Sequence, residues 1–151
     1  MTTLSASVFV AQAAATFYLT GLIWVVQAVH YPLFASADRS QFGAFVQAHG
    51  RAITPIVGPV MLLELVTAAW WVVERPPSVP WAWAAAGAGL VVVIWLSTIG
   101  LQVPLHNTLA RGFNAEAHAS LVATNWLRTV SWTLRSALLA VLLLRALQSG
   151  R

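Results

Sequence analysis

Four long apolar stretches alternate with short polar segments along the chain. Each stretch holds about the 20 residues that an α-helix needs to cross the hydrocarbon core of a bilayer. The pattern therefore predicts an all-α integral membrane protein, a single transmembrane domain in which four spanning helices pack as a bundle. The predicted spans are 7–34, 53–73, 81–103 and 124–147.

The first long connection predicts a short helix of its own. Within residues 35–51, the apolar residues from Phe42 to Val46 recur at helical spacing. We therefore expect a short amphipathic helix that lies at the membrane interface, with Asp38 as its N-cap. The connection before the fourth span gives a second candidate of this kind, capped by Asn114.

The two faces of the predicted bundle carry different connections. Side A is the face with both termini and a tight, proline-stiffened turn at 74–81, and side B is the face with the two longer connections. If Arg51 belongs to a buried site, side A is the more positive face. The positive-inside tendency then places both termini in the cytoplasm of a multi-pass protein of the cell membrane. The arginines compared are Arg75, Arg145 and Arg151 on side A, and Arg39, Arg51 and Arg111 on side B.

The composition fits a lipid environment. Hydrophobic residues make up 59% of the 151 residues, charged residues make up 8%, and the mean hydropathy is +0.76. Soluble domains carry about a quarter charged residues. The eight basic residues are all arginines spread along the chain, which excludes the clustered basic surface of a nucleic-acid-binding protein. The predicted partner is therefore the lipid bilayer. The chain has no cysteine, which excludes thiolate chemistry.

Polar residues gather near side B. Asn125, Arg128 and Trp132 share one face of the fourth span because they lie three and seven residues apart. Ionisable residues inside spans are costly and usually face the bundle interior. We therefore expect a polar pocket that opens toward side B. Its other predicted members are Gln27, His30, His49, His106, Asn107 and Trp126.

Glu64 and Arg135 fall at matched depths in the second and fourth spans. They lie about ten and eleven residues from side B, which is roughly 15 Å at about 1.5 Å per residue. A lone charge at this depth costs about 2.5–3.5 kcal/mol. The sequence therefore predicts a buried ion pair, which either fixes helix register or serves a function.

Two prolines set the expected heights of the histidines. Proline lacks a backbone N–H and disfavours helix at the preceding residue, so we expect Pro32 to bend or end the first span and Pro104 to end the third. His30 and His106 would then lie at similar height, at the level of Arg128. A proton acceptor opposite a fixed cation could stabilise an anionic intermediate, and these three residues are the predicted catalytic set.

Two segments of the second half resemble the small four-span proteins of the anthrone-oxygenase-like family. They are STIGLQVPLHNTLARGF and LVATNWLRTVSWTLRSALLAVLLL. The resemblance implies oxidation of an anthrone to an anthraquinone by molecular oxygen, without metal or flavin. The positions that match the family's motifs are Pro104, His106, Asn107, Asn125, Trp126 and Arg128.

The leading expectation is a membrane-embedded oxygenase-like or related redox enzyme that acts on a lipophilic aromatic or quinone-like molecule. A flat phenolic substrate would lose a proton to histidine and be held as an anion by arginine, between aromatic walls. No metal-ligand spacing is present, so no metal or other resident cofactor is expected. Two alternatives stay open. One is a non-enzymatic small-molecule binder, permease subunit or accessory factor in which these residues only organise the bundle, and the other is a bis-histidine haem protein.

Overall fold

The computed structural model describes residues 3–76 and 79–149, and in these ranges it contains helices, turns and bends but no strand. Four helices are long and apolar enough to cross a membrane. The predicted all-α fold with four spanning helices is confirmed. The helices are α1 (Thr3–Ser36), α2 (Phe42–Val73), α3 (Trp81–Leu109) and α4 (Ala115–Ser149).

The helices form an antiparallel bundle. α1 lies against α2 and α4, and α3 closes the bundle against the other side of the same two helices. Large apolar side chains such as Val66, Val73 and Leu96 remain exposed on the outside, whereas polar residues such as Thr16 and Asn125 are fully buried. This distribution fits a lipid surround, in which apolar side chains cover the outer surface and polar groups need partners inside.

The connection between α1 and α2 contains no separate interfacial helix, so that prediction is wrong. The segment forms the first turns of α2, which is continuous from Phe42, because Phe42 and Val46 are buried in the core and do not lie on the membrane surface. Asp38 does not cap this helix. Its carboxylate accepts hydrogen bonds from the backbone and hydroxyl of Ser40 in the preceding turn, at 2.8 and 2.9 Å, and these bonds lower the pKa of Asp38.

Asn114 does act as a helix cap. Its Oδ1 accepts a hydrogen bond from the backbone N–H of Ala117 at 2.8 Å. The helix that it caps is α4 itself, because the predicted short helix and the fourth span form one continuous helix. Polar residues in the first turns of α4 therefore stand on the same rigid element as those deeper in the bundle.

Pro32 and Pro104 do not end their helices, so the expectation that Pro104 ends the third span is wrong, and a bend of the first span at Pro32 stays a prediction. Each proline follows a π-helical turn, at Val26–His30 in α1 and at Thr98–Gln102 in α3. In the π turn a backbone N–H reaches the carbonyl five residues back, which widens the helix and moves away the carbonyl that would clash with the proline ring. Both helices continue on the far side of the proline, α1 to Ser36 and α3 to Leu109.

Candidate functional site

A cavity of about 510 Å³ lies inside the side-B half of the bundle and is lined by all four helices. Its volume falls within the range of small-molecule sites, about 300–1,000 Å³. Most of its wall is apolar and includes Leu19, Ile23, Val57 and Met61. The cavity therefore has the size and the surface that a lipophilic ring-sized molecule requires.

The cavity wall includes five of the residues that the sequence predicts for a site. His106 and Arg128 line the cavity together, whereas His30 does not line it and instead contacts a histidine that does. Of the three residues expected to converge on one cavity, His106 and Arg128 line it and His30 does not. The predicted residues in the wall are His49, His106, Asn107, Arg128 and Trp132, and those outside it are Gln27, His30, Asn125 and Trp126.

Three histidines from three helices form a cluster at the side-B end of the cavity. His30 Nε2 and His49 Nδ1 share a hydrogen bond of 2.9 Å. The rings of His49 and His106 are nearly parallel, with centroids 5.7 Å apart. His106 Nδ1 lies 2.8 Å from the carbonyl oxygen of Gln102, which can only accept. His106 Nδ1 therefore carries the proton, and in the neutral ring Nε2 is a free base.

Tyr31 lines the cavity and was missed as a site residue at the sequence level. It is buried, its ring centroid lies 5.4 Å from that of His106, and its hydroxyl lies near the guanidinium of Arg128. The Nε2 of His118, on α4, donates a hydrogen bond of 2.8 Å to the Tyr31 carbonyl oxygen. The end of α1 is thus fixed against α4, and the Tyr31 hydroxyl is held beside the guanidinium.

Arg128 is a buried cation without a carboxylate partner. Its side chain is 7% exposed, its Nη1 donates to Asn125 Oδ1 at 3.3 Å, and its Nε has no hydrogen-bond partner. The guanidinium carbon lies 5.1 Å from the ring centroid of Trp132. None of the four acidic side chains of the chain lines the cavity. The site therefore holds a positive charge that the surrounding protein does not neutralise.

Gln27 and Asn125 lie behind Arg128 and position it. Asn125 Nδ2 donates to Gln27 Oε1 at 2.9 Å, while Gln27 Nε2 donates to the backbone oxygen of Val122 at 3.1 Å. Thr129 Oγ1 donates to the same Gln27 oxygen at 3.4 Å. These bonds use up the amide groups and orient Asn125 Oδ1 toward Arg128. The two amides therefore connect α1 to α4 and do not face the cavity.

Trp126 lies on the outer surface of the bundle. It is 45% exposed, and its ring meets that of Trp24 edge to face with centroids 5.6 Å apart. The Trp24 indole in turn donates to Thr133 Oγ1 at 3.1 Å. A direct contact between Trp126 and a molecule in the cavity does not fit this placement.

Glu64 and Arg135 form the predicted ion pair. Arg135 Nε lies 3.1 Å from Glu64 Oε1, and both side chains are almost completely buried. Thr16 Oγ1 donates to the same carboxylate oxygen at 2.6 Å, and the Trp132 indole N–H donates to Glu64 Oε2 at 3.0 Å. The carboxylate is thus fully engaged by three donors from two other helices.

The remaining donors of Arg135 extend this network to α3. Its Nη1 donates to the backbone oxygen of Gly87 at 2.6 Å, and its Nη2 donates to Gln12 Oε1 at 2.8 Å. Together with Glu64, the guanidinium joins all four helices at one level. The ion pair is enclosed and lies outside the wall of the cavity, which fits the role of fixing helix register.

Two further polar residues of α3 line the cavity and carry atoms without partners. Gln102 Nε2 donates to Thr124 Oγ1 at 2.9 Å, but its Oε1 accepts no hydrogen bond. The indole N–H of Trp95 has no acceptor. Buried polar groups are usually paired, whereas these two atoms have no partner in the described part of the chain and almost no accessible surface.

The geometry of the histidines bears on the haem alternative. Within the described residues, no group of three or more histidine or acidic side chains could hold a metal ion. The nitrogens of His30 and His49 lie 2.9 Å apart. An ion bound between two imidazoles at about 2.0–2.1 Å from each needs nitrogens roughly 4 Å apart. This pair therefore does not fit bis-histidine ligation.

Comparison with known proteins adds no relative, because no family model, no curated protein and no solved structure matches the chain. The function must be argued from the cavity and its residues.

Proposed function

We propose that the protein is a membrane-embedded enzyme that binds a lipophilic ring compound with an acidic hydroxyl group, such as a phenol or a quinol, and promotes its oxidation. The observation that carries this proposal is Arg128, a buried guanidinium that lines an apolar cavity with no carboxylate beside it. An unpaired buried charge is costly. A ligand oxygen that becomes an anion in the cavity would supply the missing negative charge and would itself be stabilised.

The cavity offers the ligand a matching surface. A volume of about 510 Å³ accommodates a molecule of two or three fused rings, and the lining is mainly apolar. Trp95 and Trp132 contribute aromatic faces. Lipophilic rings with one or two polar oxygens fit this lining better than sugars, nucleotides or peptides.

His106 is the proposed proton acceptor. Its Nδ1 is committed to the Gln102 carbonyl, so Nε2 is free to take the proton of the ligand hydroxyl. The O–H bond breaks, the electron pair stays on the ligand oxygen, and Arg128 and the Tyr31 hydroxyl hold the resulting anion. This step moves no electrons between molecules. Oxidation follows when the anion gives two electrons to molecular oxygen, the oxidant of the anthrone-oxygenase-like family that the sequence resembles. A quinol loses its second hydroxyl proton as well and leaves as the quinone, with hydrogen peroxide as the other product. Anthrone reacts as its enol, bonds oxygen at C10 as a hydroperoxide and then loses water to give anthraquinone.

The pair of His30 and His49 gives the proton a route away from the cavity. His49 lines the cavity, and its Nδ1 is hydrogen-bonded to Nε2 of the half-buried His30. A proton taken up by His49 can move along this bond to His30 while the opposite nitrogen of His30 releases one toward side B. In this proposal His30 acts through His49 and does not touch the ligand.

Enzymatic oxidation is tested with anthrone as the probe. Protein in lipid nanodiscs should accelerate oxygen uptake and anthraquinone formation over empty nanodiscs, and Arg128→Gln should abolish the acceleration. Arg111→Gln is the matched control, because Arg111 is exposed on side B and does not line the cavity. Retained activity in Arg128→Gln would contradict the proposal.

Binding of phenolic ligands without any turnover would instead favour the non-enzymatic binder. An absorption band near 400 nm that co-purifies with the protein would favour the haem alternative.

The proposal places the protein in the cell membrane with both termini in the cytoplasm. Arg51 lines the cavity but its side chain is exposed, so each face carries three arginines and the positive-inside tendency favours neither orientation. The chain has no cysteine, which allows single-cysteine labelling without background. Ser40→Cys on side B should react with an impermeant maleimide added to intact cells, whereas Glu74→Cys on side A should react only after permeabilisation. The reverse pattern would overturn the orientation.

A further inference from the structure

We propose that the ligand enters the cavity from within the bilayer, through a portal between α2 and α3, and that Arg51 at the mouth binds a second, negatively charged group on the ligand's outer end. This inference rests on the proposed function in taking the cavity as the binding site. It adds the route of entry and narrows the ligand class to ring compounds with an acidic hydroxyl at one end and a carboxylate or similar anion at the other.

The exposed part of the cavity wall locates the portal. The lining residues of α1 and α4 are buried or half-buried, whereas exposed lining residues come only from α2 and α3. The opening must therefore lie between these two helices. The exposed lining residues are Gln47, Arg51 and Thr54 on α2, and Val103 and Asn107 on α3.

The two helices are in direct contact at the side-B end of this opening and share one buried core cluster at its deeper end. At the side-B end, Gln47 Nε2 donates to the backbone oxygen of Ala110 at 3.2 Å, and a Cβ added at Gly43 would lie 2.8 Å from the same oxygen. At the deeper end, Met61 and Ile94 belong to one buried cluster. From Gln47 to Met61 the portal spans fourteen residue steps of α2, roughly 21 Å at about 1.5 Å per residue, which is about two thirds of the roughly 30 Å hydrocarbon core.

Glycines contribute to the opening. Gly50 and Gly58 both line the cavity, and a Cβ added at either position would meet no atom within 4 Å. Close packing against a neighbouring helix therefore does not explain these glycines, in contrast to Gly43. Open space at both positions means that a large side chain would occupy the portal without clashing with the backbone.

Arg51 lies where an anionic group on an entering molecule would pass. It is exposed, and in the described part of the chain it has no hydrogen-bond or ion-pair partner. α2 has 32 residues, so it is about 48 Å long and exceeds the roughly 30 Å hydrocarbon core. The tenth residue of such a helix falls near the level where hydrocarbon meets headgroups, and a long arginine side chain can reach that level.

The cavity thus has one arginine at its mouth and one at its inner wall, and none of the four acidic side chains lines it. Arg128 faces the reacting hydroxyl in the proposed mechanism, which leaves Arg51 to pair with a group at the opposite end of the ligand. Asn107, also exposed at the mouth, adds amide donors and an acceptor beside that group. A neutral lipophilic phenol would use only the inner arginine.

The test compares two probes that share a ring system. 2-Naphthol carries only the hydroxyl, and 6-hydroxy-2-naphthoic acid adds a carboxylate at the opposite end. Binding to wild-type protein in nanodiscs is measured by isothermal titration calorimetry, with empty nanodiscs as the blank. Wild-type protein should bind the acid about fivefold more tightly than 2-naphthol, the upper range for a solvent-accessible ion pair. Arg51→Gln should remove this preference, and Arg111→Gln should leave both the preference and 2-naphthol binding unchanged.

The portal is tested by filling it. Gly58→Leu should lower the rate of 2-naphthol binding at least tenfold, whereas Gly89→Leu should leave it unchanged. Gly89 is the matched control because it also lies in a helix with no atom within 4 Å of an added Cβ, but it does not line the cavity.

The outcomes separate this inference from the proposed function. An unchanged rate of 2-naphthol binding in Gly58→Leu would overturn the portal. An unchanged preference for the acid over 2-naphthol in Arg51→Gln would overturn the role of Arg51 as the outer anchor of the ligand. In both cases the proposed function would still stand if Arg128→Gln no longer bound 2-naphthol. Failure of wild-type protein to bind either probe would overturn the proposed function and the inference together.

Discussion

Arg128 and Arg135 lie seven residues apart on one face of α4, and only Arg135 has a carboxylate partner. Arg135 is 1% exposed and paired with Glu64, whereas Arg128 is 7% exposed and has the Asn125 amide, the Tyr31 hydroxyl and the Trp132 ring near it but no carboxylate partner. Two buried charges two turns apart thus have opposite electrostatic surroundings. The paired arginine holds the bundle together, and the unpaired arginine faces the cavity.

The Glu64–Arg135 pair should behave as a structural unit. Glu64→Gln or Arg135→Met alone leaves a buried charge without its partner, and we expect each to destabilise the protein by about 3–5 kcal/mol. The double replacement Glu64→Leu with Arg135→Met removes both charges and should restore a large part of that loss. Thermal unfolding in detergent, followed by near-UV circular dichroism, measures all three variants. Additive losses in the double variant would show that the two residues do not act together.

Gly87 should tolerate no side chain. An added Cβ would lie 3.0 Å from Arg135 Nη1, which already donates to the Gly87 carbonyl at 2.6 Å. Gly87→Ala should therefore destabilise the bundle by about 1–3 kcal/mol, as overpacking does. Gly89→Ala, two residues away with open space around it, is the control and should be neutral or slightly stabilising. Equal melting temperatures for the two variants would contradict the network seen around Arg135.

Trp95 and Trp126 test whether a ligand in the cavity contacts aromatic rings. Trp95 lines the cavity with an unpaired indole N–H, whereas Trp126 lies on the lipid-facing surface. Trp95→Leu should weaken 2-naphthol binding about five- to tenfold, because it removes an aromatic contact of about 1 kcal/mol. Trp126→Leu should have no effect. Calorimetric titration with 2-naphthol measures the affinity of both variants. A larger loss of affinity in Trp126→Leu than in Trp95→Leu would mean that the ligand binds outside the cavity.

Replacing His30, the outer member of the His30–His49 pair, should lower the turnover rate without changing the affinity for the ligand. His30 does not line the cavity and contacts it only through His49. We expect His30→Phe to slow anthrone oxidation about tenfold with unchanged binding of 2-naphthol. His106→Phe should lower the rate about 100-fold or more, since general-base catalysis contributes about 10²–10⁴. Stopped-flow oxygen consumption and calorimetry on the same preparations separate the two effects. If His30→Phe weakened binding as much as turnover, a purely structural role for this pair would be favoured.

Much of the fold follows from the sequence because spanning helices depend on local composition. About 20 apolar residues suffice to predict a span, and all four predicted spans fall inside helices of the structure. The helix ends were less predictable. The start of α2 at Phe42 depends on burial of Phe42 and Val46 against other helices, which hydropathy along one segment does not encode.

The prolines show why the site was only partly predictable. A π turn before Pro32 keeps Ile23, Gln27 and Tyr31, spaced four residues apart, on the inner face of α1, where all three are buried. Such a turn adds one residue to a helical repeat, and the apolar pattern alone does not reveal it. An α-helix that ended at Pro32 would have left Tyr31 at the membrane surface, which is why its place beside Arg128 was missed.

The positions of the charged residues predicted the site better than the positions of the prolines did. The matched depths of Glu64 and Arg135 correctly placed them together, and the spacing of Arg128 on the same face of α4 placed it inside the bundle. The absence of a carboxylate near Arg128 could be recognised only from the structure, because it depends on where all four acidic residues lie.

In the proposed function Arg128 binds a ligand, and its unpaired charge lowers the stability of the ligand-free protein. The most direct measurement is the unfolding free energy of ligand-free Arg128→Met beside that of Arg135→Met, under identical detergent conditions. Removal of an unpaired buried charge should leave stability unchanged or raise it by up to about 2 kcal/mol, while Arg135→Met should lower it by about 3–5 kcal/mol. A loss of stability in Arg128→Met as large as that in Arg135→Met would mean that Arg128 holds the bundle together, and would contradict its assignment to a ligand.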